Sequence, residues 1–233
     1  MHTSAYLQRR SQLEQYFDRT AAQAWERLTS DAPVSRIRAS VRAGRARMRQ
    51  AILDFLAPNL NGRRILDAGC GTGALSLELA ARGAHVVAID LSATLVELAR
   101  RRSAPHAEPG AVEFRSGDMS DRSLGIFDHV VAMDSLIHYE APDIVQVLAE
   151  FAARTRHSIV FTIAPRTPAL AVMHAIGRAF PRSNRAPALA PLAPEKLQAR
   201  IAAEPGLTGW RVASHTRIAH GFYTSQALQL VRA

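Results

Sequence analysis

Cysteine is almost missing from this 233-residue chain: Cys70 stands alone. A single thiol excludes an intramolecular disulfide and a cysteine-based zinc cluster. Lysine is nearly as scarce. Lys196 is the one lysine among 29 basic residues, so the net charge of +9 is carried almost wholly by arginine. Planar arginine forks suit carboxylates and phosphates. The excess fits a solvated surface, an anionic substrate, an anionic membrane surface or nucleic acid, and composition does not choose among them. Long apolar runs are absent, none reaching the roughly 18 uncharged residues of a spanning helix. The opening stretch MHTSAYLQRRSQLEQYF has no apolar centre of a secretory signal. These absences predict a cytoplasmic protein. What is present is ordinary: 48% apolar and 21% charged residues, suited to one domain with a single good core.

Periodicity divides the chain. Residues 1–60 read as a helical amino-terminal arm or cap. Leu13, Tyr16, Phe17, Trp25 and Leu28 recur at mixed helical spacing. Within 34–56, Ile37, Val41, Met48, Ile52 and Leu56 share one face while arginines occupy the other. Pro58 and Gly62 then end the helix. From residue 61 to 164, short β-branched runs (RRILDAG, HVVAID, VEFRSGD, FDHVVAMDS, HSIVFTIAP) alternate with helical stretches at 74–82, 92–102 and 142–154. Near-continuous apolar strands of this kind predict a parallel sheet covered on both faces. Residues 165–194 hold six prolines and four arginines around ALAVMHAIGRAF, a short amphipathic helix. A long insertion after a strand end reads as a lid or substrate-binding element. Residues 195–233 complete the core with a helix and a terminal antiparallel strand pair.

The chemistry is carried by ILDAGCGTG (65–73). An apolar strand ends at Asp67, and Gly69, Gly71 and Gly73 lead into a helix. Glycines let the backbone turn sharply and approach a ligand without a Cβ in the way. The spacing is not the dinucleotide G-x-G-x-x-G. An acid before the glycines repels phosphate and welcomes an ammonium group. Asp90, followed by Leu91, ends the next strand, where an acid accepts from ribose hydroxyls. Asp118 and Met119 end the third, placed to accept from an adenine amino group and to pack on its ring. Three acidic strand ends in order match a cationic amino acid fused to adenosine, S-adenosylmethionine. The arrangement resembles the class I methyltransferase fold: Rossmann-like α/β, a mostly parallel seven-stranded sheet with helices on both faces. Cys70 within the loop reads as packing rather than as a nucleophile. After the fourth strand the chain has DSLIHY in place of an Asn/Asp-Pro-Pro-Tyr-like element, so an amino-group acceptor is not favoured. The lack of a Cys or His metal cluster disfavours metal-dependent catechol-type transfer.

Nearly end to end, the chain is similar to the magnesium-protoporphyrin IX O-methyltransferases of (bacterio)chlorophyll biosynthesis. The likeness runs through YFDRTAAQAWERL (16–28), VRAGRARMRQAILDFL (41–56), the glycine loop and its following helix, FDHVVAMDSLIHY, the proline- and arginine-rich insertion and FYTSQAL. It implies methyl transfer from S-adenosylmethionine to one propionate carboxyl of magnesium protoporphyrin IX, with magnesium present only as part of the substrate. It also implies catalytic places for Tyr16 and His138, and contact with the porphyrin-binding subunit of magnesium chelatase. Strand position puts Met133 through Ser135 beside the cofactor, and Arg42 is a candidate partner for its carboxylate. Arg166 and Arg182 are candidates for the second propionate, and Met173 and Phe180 for an apolar wall against the macrocycle. The basic amphipathic stretch 34–56 makes peripheral membrane association an expectation; nucleic acid is not an expected partner. The competing readings are an O-methyltransferase of another small molecule and a basic RNA- or membrane-binding module on the same fold.

Overall fold

The computed structural model describes residues 3–20, 35–103, 111–166 and 189–233, with the side chains of residues 19 and 20 left aside. Helix α1 (Ser4–Gln15) is capped by the Thr3 side chain, which accepts from Tyr6 N, and passes into a π-helical turn (Tyr16–Thr20). Helix α2 spans Arg36–Asp54. Strands and helices then alternate: β1 (Arg64–Ala68), α3 (Ala74–Ala81), β2 (His85–Asp90), α4 (Ala93–Ser103), β3 (Val112–Ser116), β4 (Phe127–Ala132), α5 (Ala141–Ala152) and β5 (Thr155–Ile163). Helix α6 (Pro194–Ala203) precedes the hairpin β6 (Trp210–His220) and β7 (Tyr223–Arg232).

All seven strands form one sheet in the order β3-β2-β1-β4-β5-β7-β6. The first five run parallel, and β7 enters antiparallel between β5 and β6. Ile65, Leu66, Val130, Val131, Ile159 and Val160 of the central strands are fully buried, as uninterrupted apolar runs require of a sheet covered on both sides. β6 lies on the outer edge, and its exposure alternates along its length. Chain order reverses between β1 and β4: β2 and β3 lie on one side of β1, β4 and β5 on the other. Such a switch point opens a crevice at the carboxyl ends of the strands.

Two apolar clusters fill the faces. One joins α1 and α5 to the sheet through Tyr6, Leu13, Phe127, Ile144 and Phe151. The other joins α2, α3 and α4 through Met48, Ile52, Leu79 and Val96. Met48, Ile52 and Leu56 are buried as the spacing of 34–56 predicts, but Ile37 is 53% exposed. The helix meets the β6–β7 turn at Ser40, whose Oγ accepts from Phe222 N. Ile37, one turn earlier, has run past the sheet. The helix also stops at Asp54, before Pro58.

Both stems of the 165–194 insertion are tied together. Pro165 bridges Leu192, Arg166 N donates to Leu192 O at 2.7 Å, and Ala190 N donates to Ile137 O at 2.9 Å. The lid helix expected between the stems, with Met173, Phe180 and Arg182, lies outside the described residues, as do Trp25 and Leu28 of the arm.

Candidate active site

A cavity of about 330 Å³ occupies the crevice at the carboxyl ends of β1 to β4. Its floor is acidic. Asp67, at the end of β1, is 1% exposed and accepts from Ser76 Oγ at 2.6 Å. Burial pushes its carboxyl pKa up to about 7, with Asp90 adding to the rise and Ser76 opposing it. Asp90, closing β2, takes Gly71 N at 2.8 Å and Ser92 N at 2.9 Å. Burial raises its pKa more than those N–H bonds lower it. The bonds both acids accept thus come from neutral donors, a costly arrangement for a buried charge and a suitable one for a cationic or hydroxyl-rich ligand. Asp118 differs. It accepts from Ser120 N and Oγ and pairs with Arg10 of α1. Burial alone would raise its pKa; Ser120 and Arg10 outweigh it and hold the carboxyl below the usual range.

The glycine loop has the local geometry its sequence requires. Gly69 (φ +83) packs so close to the β4 exit that a Cβ would lie 2.3 Å from the Cβ of Ser135. Gly71 (φ +55) faces open space, so backbone is what a ligand meets there. Cys70 lines the cavity, and burial raises its thiol well above the ordinary value, which keeps it protonated at neutral pH. Gly73 packs instead against the Phe114 ring and Ala99.

Of the residues expected at the site, Arg42, Asp67, Gly69, Cys70, Gly71, Asp90, Leu91, Asp118, Met119, Met133 and His138 line this one cavity. Tyr16 does not; it packs edge-on against Phe17, with ring centroids 5.2 Å apart, and Phe17 is the arm aromatic that reaches the cavity. Phe17 in turn lies edge-on to His138 at 6.2 Å. His138 ends the 3-10 turn Leu136–His138 and is 8% exposed. Arg166 is exposed on the insertion stem and does not line the cavity. Tyr139, assigned no task from sequence, is buried, lines the cavity and stacks on Tyr6 at 4.9 Å.

Several cavity residues have no site assignment from the sequence, where Leu13 and Phe17 read only as apolar positions of the arm. Tyr6, Arg10, Leu13 and Phe17 all face it from α1 and the turn that follows. Their spacing of four, three and four residues is one helical stripe, a signal that was present but interrupted by an arginine. Asp18 accepts from Ser92 Oγ and Thr94 N at 2.9 and 3.0 Å, which fastens the π-helical turn to the start of α4. Arg45, Arg49 and Asp134 complete the wall from α2 and the β4 exit.

These features fit S-adenosylmethionine on the structure's own terms. Asp67 is a buried acid whose hydrogen bond comes from the neutral Ser76 hydroxyl, the loop beside it is bare backbone, and Ser135 Oγ is a buried hydroxyl with no hydrogen-bond partner among the described residues. The combination of this sheet order with acids closing β1, β2 and β3 defines a class I S-adenosylmethionine-dependent methyltransferase. Residues 65–158 match the family pattern described as "Methyltransferase domain", and residues 132–232 match "Magnesium-protoporphyrin IX methyltransferase C-terminus".

The chain belongs to the magnesium-protoporphyrin O-methyltransferase family. It is 48% identical to the Magnesium-protoporphyrin O-methyltransferase of Rhodobacter capsulatus over 97% of this chain and 98% of that protein. The Synechocystis PCC 6803 enzyme of the same name is 29% identical over 99% of this chain and 100% of its own length. A crystal structure of magnesium protoporphyrin IX methyltransferase from Synechocystis PCC 6803 with bound SAH superposes with a TM-score of 0.84 at 26% identity, covering 96% of this chain and 99% of that one.

Proposed function

We propose that this chain transfers the methyl group of S-adenosylmethionine to one propionate carboxylate of magnesium protoporphyrin IX, giving the 13-monomethyl ester. The observation that carries this reading is the mixed charge of the cavity lining: Asp67, Asp90 and Asp118 from the strand ends, His138 at the exit of β4, and Arg42, Arg45 and Arg49 from α2. A cationic cofactor and an anionic acceptor can share such a space without either meeting its own sign.

The cofactor supplies a methyl group on a sulfonium, transferable to an aligned nucleophile. A propionic acid has a pKa near that of glutamate, about 4.3, so the acceptor arrives ionised and needs no strong general base. His138 therefore aims the carboxylate rather than deprotonating it. Burial raises the Tyr16 hydroxyl pKa, which keeps it a neutral donor next to Phe17. Its catalytic place requires the π-helical turn Tyr16–Thr20 to turn the hydroxyl toward the cavity; such turns recur at functional sites. Alignment of oxygen, carbon and sulfur contributes several kcal/mol, up to roughly 7–11 in ideal cases. Phe17, Leu13 and Tyr6 keep water from the meeting charges, both of which diminish in the transition state.

The same reading includes reversible association with an anionic membrane surface and contact with the porphyrin-binding subunit of magnesium chelatase. Support for the former is the exposed basic side of α2, with Arg36 and Arg38 next to exposed Ile37 and Arg47 exposed further along the helix. No helix among the described residues is long and apolar enough to cross a membrane. The decisive assay supplies labelled S-adenosylmethionine with magnesium protoporphyrin IX or the metal-free porphyrin. Labelled monoester from the magnesium form is expected; no ester from it, with cofactor binding intact, sinks the reading.

A further inference from the structure

Arg42, Arg45 and Arg49 face the cavity from α2, and Arg45 is built into the strand ends. Arg49 turns to Glu78 of α3, Nε to Oε1 at 2.9 Å, where the Glu78 side chain is 39% exposed. Arg45 Nη1 instead donates to Asp134 Oδ2 at 2.5 Å, where the Asp134 side chain is 6% exposed. The same carboxylate accepts from Tyr223 OH at 3.0 Å, Thr162 Oγ1 at 3.3 Å and Ser225 Oγ at 3.4 Å. Asp134 N donates to Thr162 Oγ1 at 2.7 Å. Asp134 is also the one non-glycine residue with positive φ (+54) among those described. A side chain in that region costs of order 1–3 kcal/mol and persists where its surroundings over-determine it.

Docking of α2 does not require this pair. Gly44 already lies against the Tyr223 ring, and Met48 and Ile52 bury the helix on the sheet. A buried ion pair adds little to such packing, because desolvation offsets its attraction. What it adds is a guanidinium held in one place on the cavity wall. Three hydroxyls share the charge of Asp134, and an arginine presents five N–H donors in a planar fork that matches a second carboxylate.

We propose that Arg45 receives a carboxylate of a bound ligand and that Asp134 is its positioning residue. Two carboxylates have this chemistry: that of the cofactor's amino-acid end, and the porphyrin propionate that is not methylated. The second source rests on the proposed function; the first does not.

The test uses the full chain and the variants Arg45→Gln, Arg45→Lys and Asp134→Asn, each checked by thermal melting. Calorimetry with S-adenosylhomocysteine and with its analogue lacking the carboxylate reads one source. Titration with magnesium protoporphyrin IX, and with the derivative whose non-acceptor propionate is already esterified, reads the other. Arg45→Gln should weaken one of the two parent ligands by roughly 10-fold or more, as expected for a charged hydrogen bond. The deficit should vanish with the analogue lacking the matching carboxylate, which identifies the source. Arg45→Lys should recover only part of the loss, since it keeps the charge without the fork. Asp134→Asn should weaken the same ligand and add little on top of Arg45→Gln. Binding of both parents within about twofold of wild type by folded Arg45 variants overturns the proposal, and so does a deficit that persists with the analogues. If Arg45→Gln does not fold, Arg45→Lys is judged by the same criteria. Fully additive losses in the double variant remove the positioning role of Asp134. Wild-type transfer to the magnesium porphyrin is assayed in parallel: its absence would sink the proposed function, while the homocysteine arm still decides Arg45.

Discussion

The two ends of the parallel sheet carry similar residues and use them differently. At the amino end, Asp128 is flanked by two arginines and a histidine: Arg63, Arg156 and His157 lie within 3.8 Å, and Arg64 N donates to it at 2.8 Å. Burial would raise its pKa, but these partners keep it below the usual range. At the carboxyl end, Asp67 and Asp90 accept from neutral donors and have raised pKa values. One end has closed its electrostatics within the fold. The other leaves negative charge for a cation to complete. Burial of an acid therefore does not mark a site by itself; the character of its hydrogen-bond donors does.

The largest way to break this contrast is Asp67→Asn. Loss of a charged partner should weaken S-adenosylmethionine by roughly 100-fold in calorimetry while leaving the melting temperature of the free protein no lower. His138→Ala and Tyr16→Phe should each lower turnover by about 10- to 100-fold with cofactor affinity little changed; wild-type turnover in both variants would remove their proposed roles. Asp128→Ala should do the reverse. It should cost about 1–3 kcal/mol in denaturant unfolding, because the Arg64 N–H loses its acceptor, with cofactor affinity unaltered.

The smallest effect is a pair of opposite pH slopes. The folded protein binds a proton at Asp67 more tightly than the unfolded chain, so this group makes the free protein less stable as pH rises from about 3.8 to about 7. His129, at the amino end, has Nδ1 2.7 Å from Ser158 Oγ. Burial first, and His157 second, push its pKa down to about 4. Its neutral form is the one the fold accommodates, so it makes stability rise as pH goes from about 4 to about 6.5. Melting curves across pH 4–7 should lose the falling component in Asp67→Asn and the rising one in His129→Gln. Cofactor affinity should rise up to about pH 7, as the ammonium displaces the proton on Asp67. It should fall again near 8, where an α-amino group deprotonates.

The sequence made the sheet legible because its strands are apolar runs ending in acids. A period of two or of near-continuous burial is a local property, and so is an acid at a strand end; Asp67, Asp90 and Asp118 could be read without knowing the fold. The partners of those acids could not. Arg10 meets Asp118 across 108 residues, and Arg45 meets Asp134 across 89. Nothing local to α1 or α2 says which arginine of many will point inward. The arginine face of α2 was visible as a face, but its division into a solvated side and a cavity side depends on where the helix docks. The strand position of Asp134 in MDSLIHY places it beside the cofactor, but neither its left-handed backbone nor its pairing with Arg45 leaves a mark in a one-letter code.

Gly44 gives α2 a place in the architecture that its position before the first strand disguises. A Cβ there would stand 2.6 Å from the Tyr223 ring, so any larger residue would pry the helix from β7. The contact makes α2 part of the sheet's covering layer. A shortened chain beginning near residue 35 would keep that layer. One beginning near residue 60 would uncover Ile65, Val131 and Val160, which belong to the cluster that α2 closes. For anyone trimming or grafting this enzyme, a cut just before Ser35 keeps that layer but gives up the α1 wall of the cavity with Tyr6, Arg10, Leu13 and Phe17, and α2 should travel with the strands.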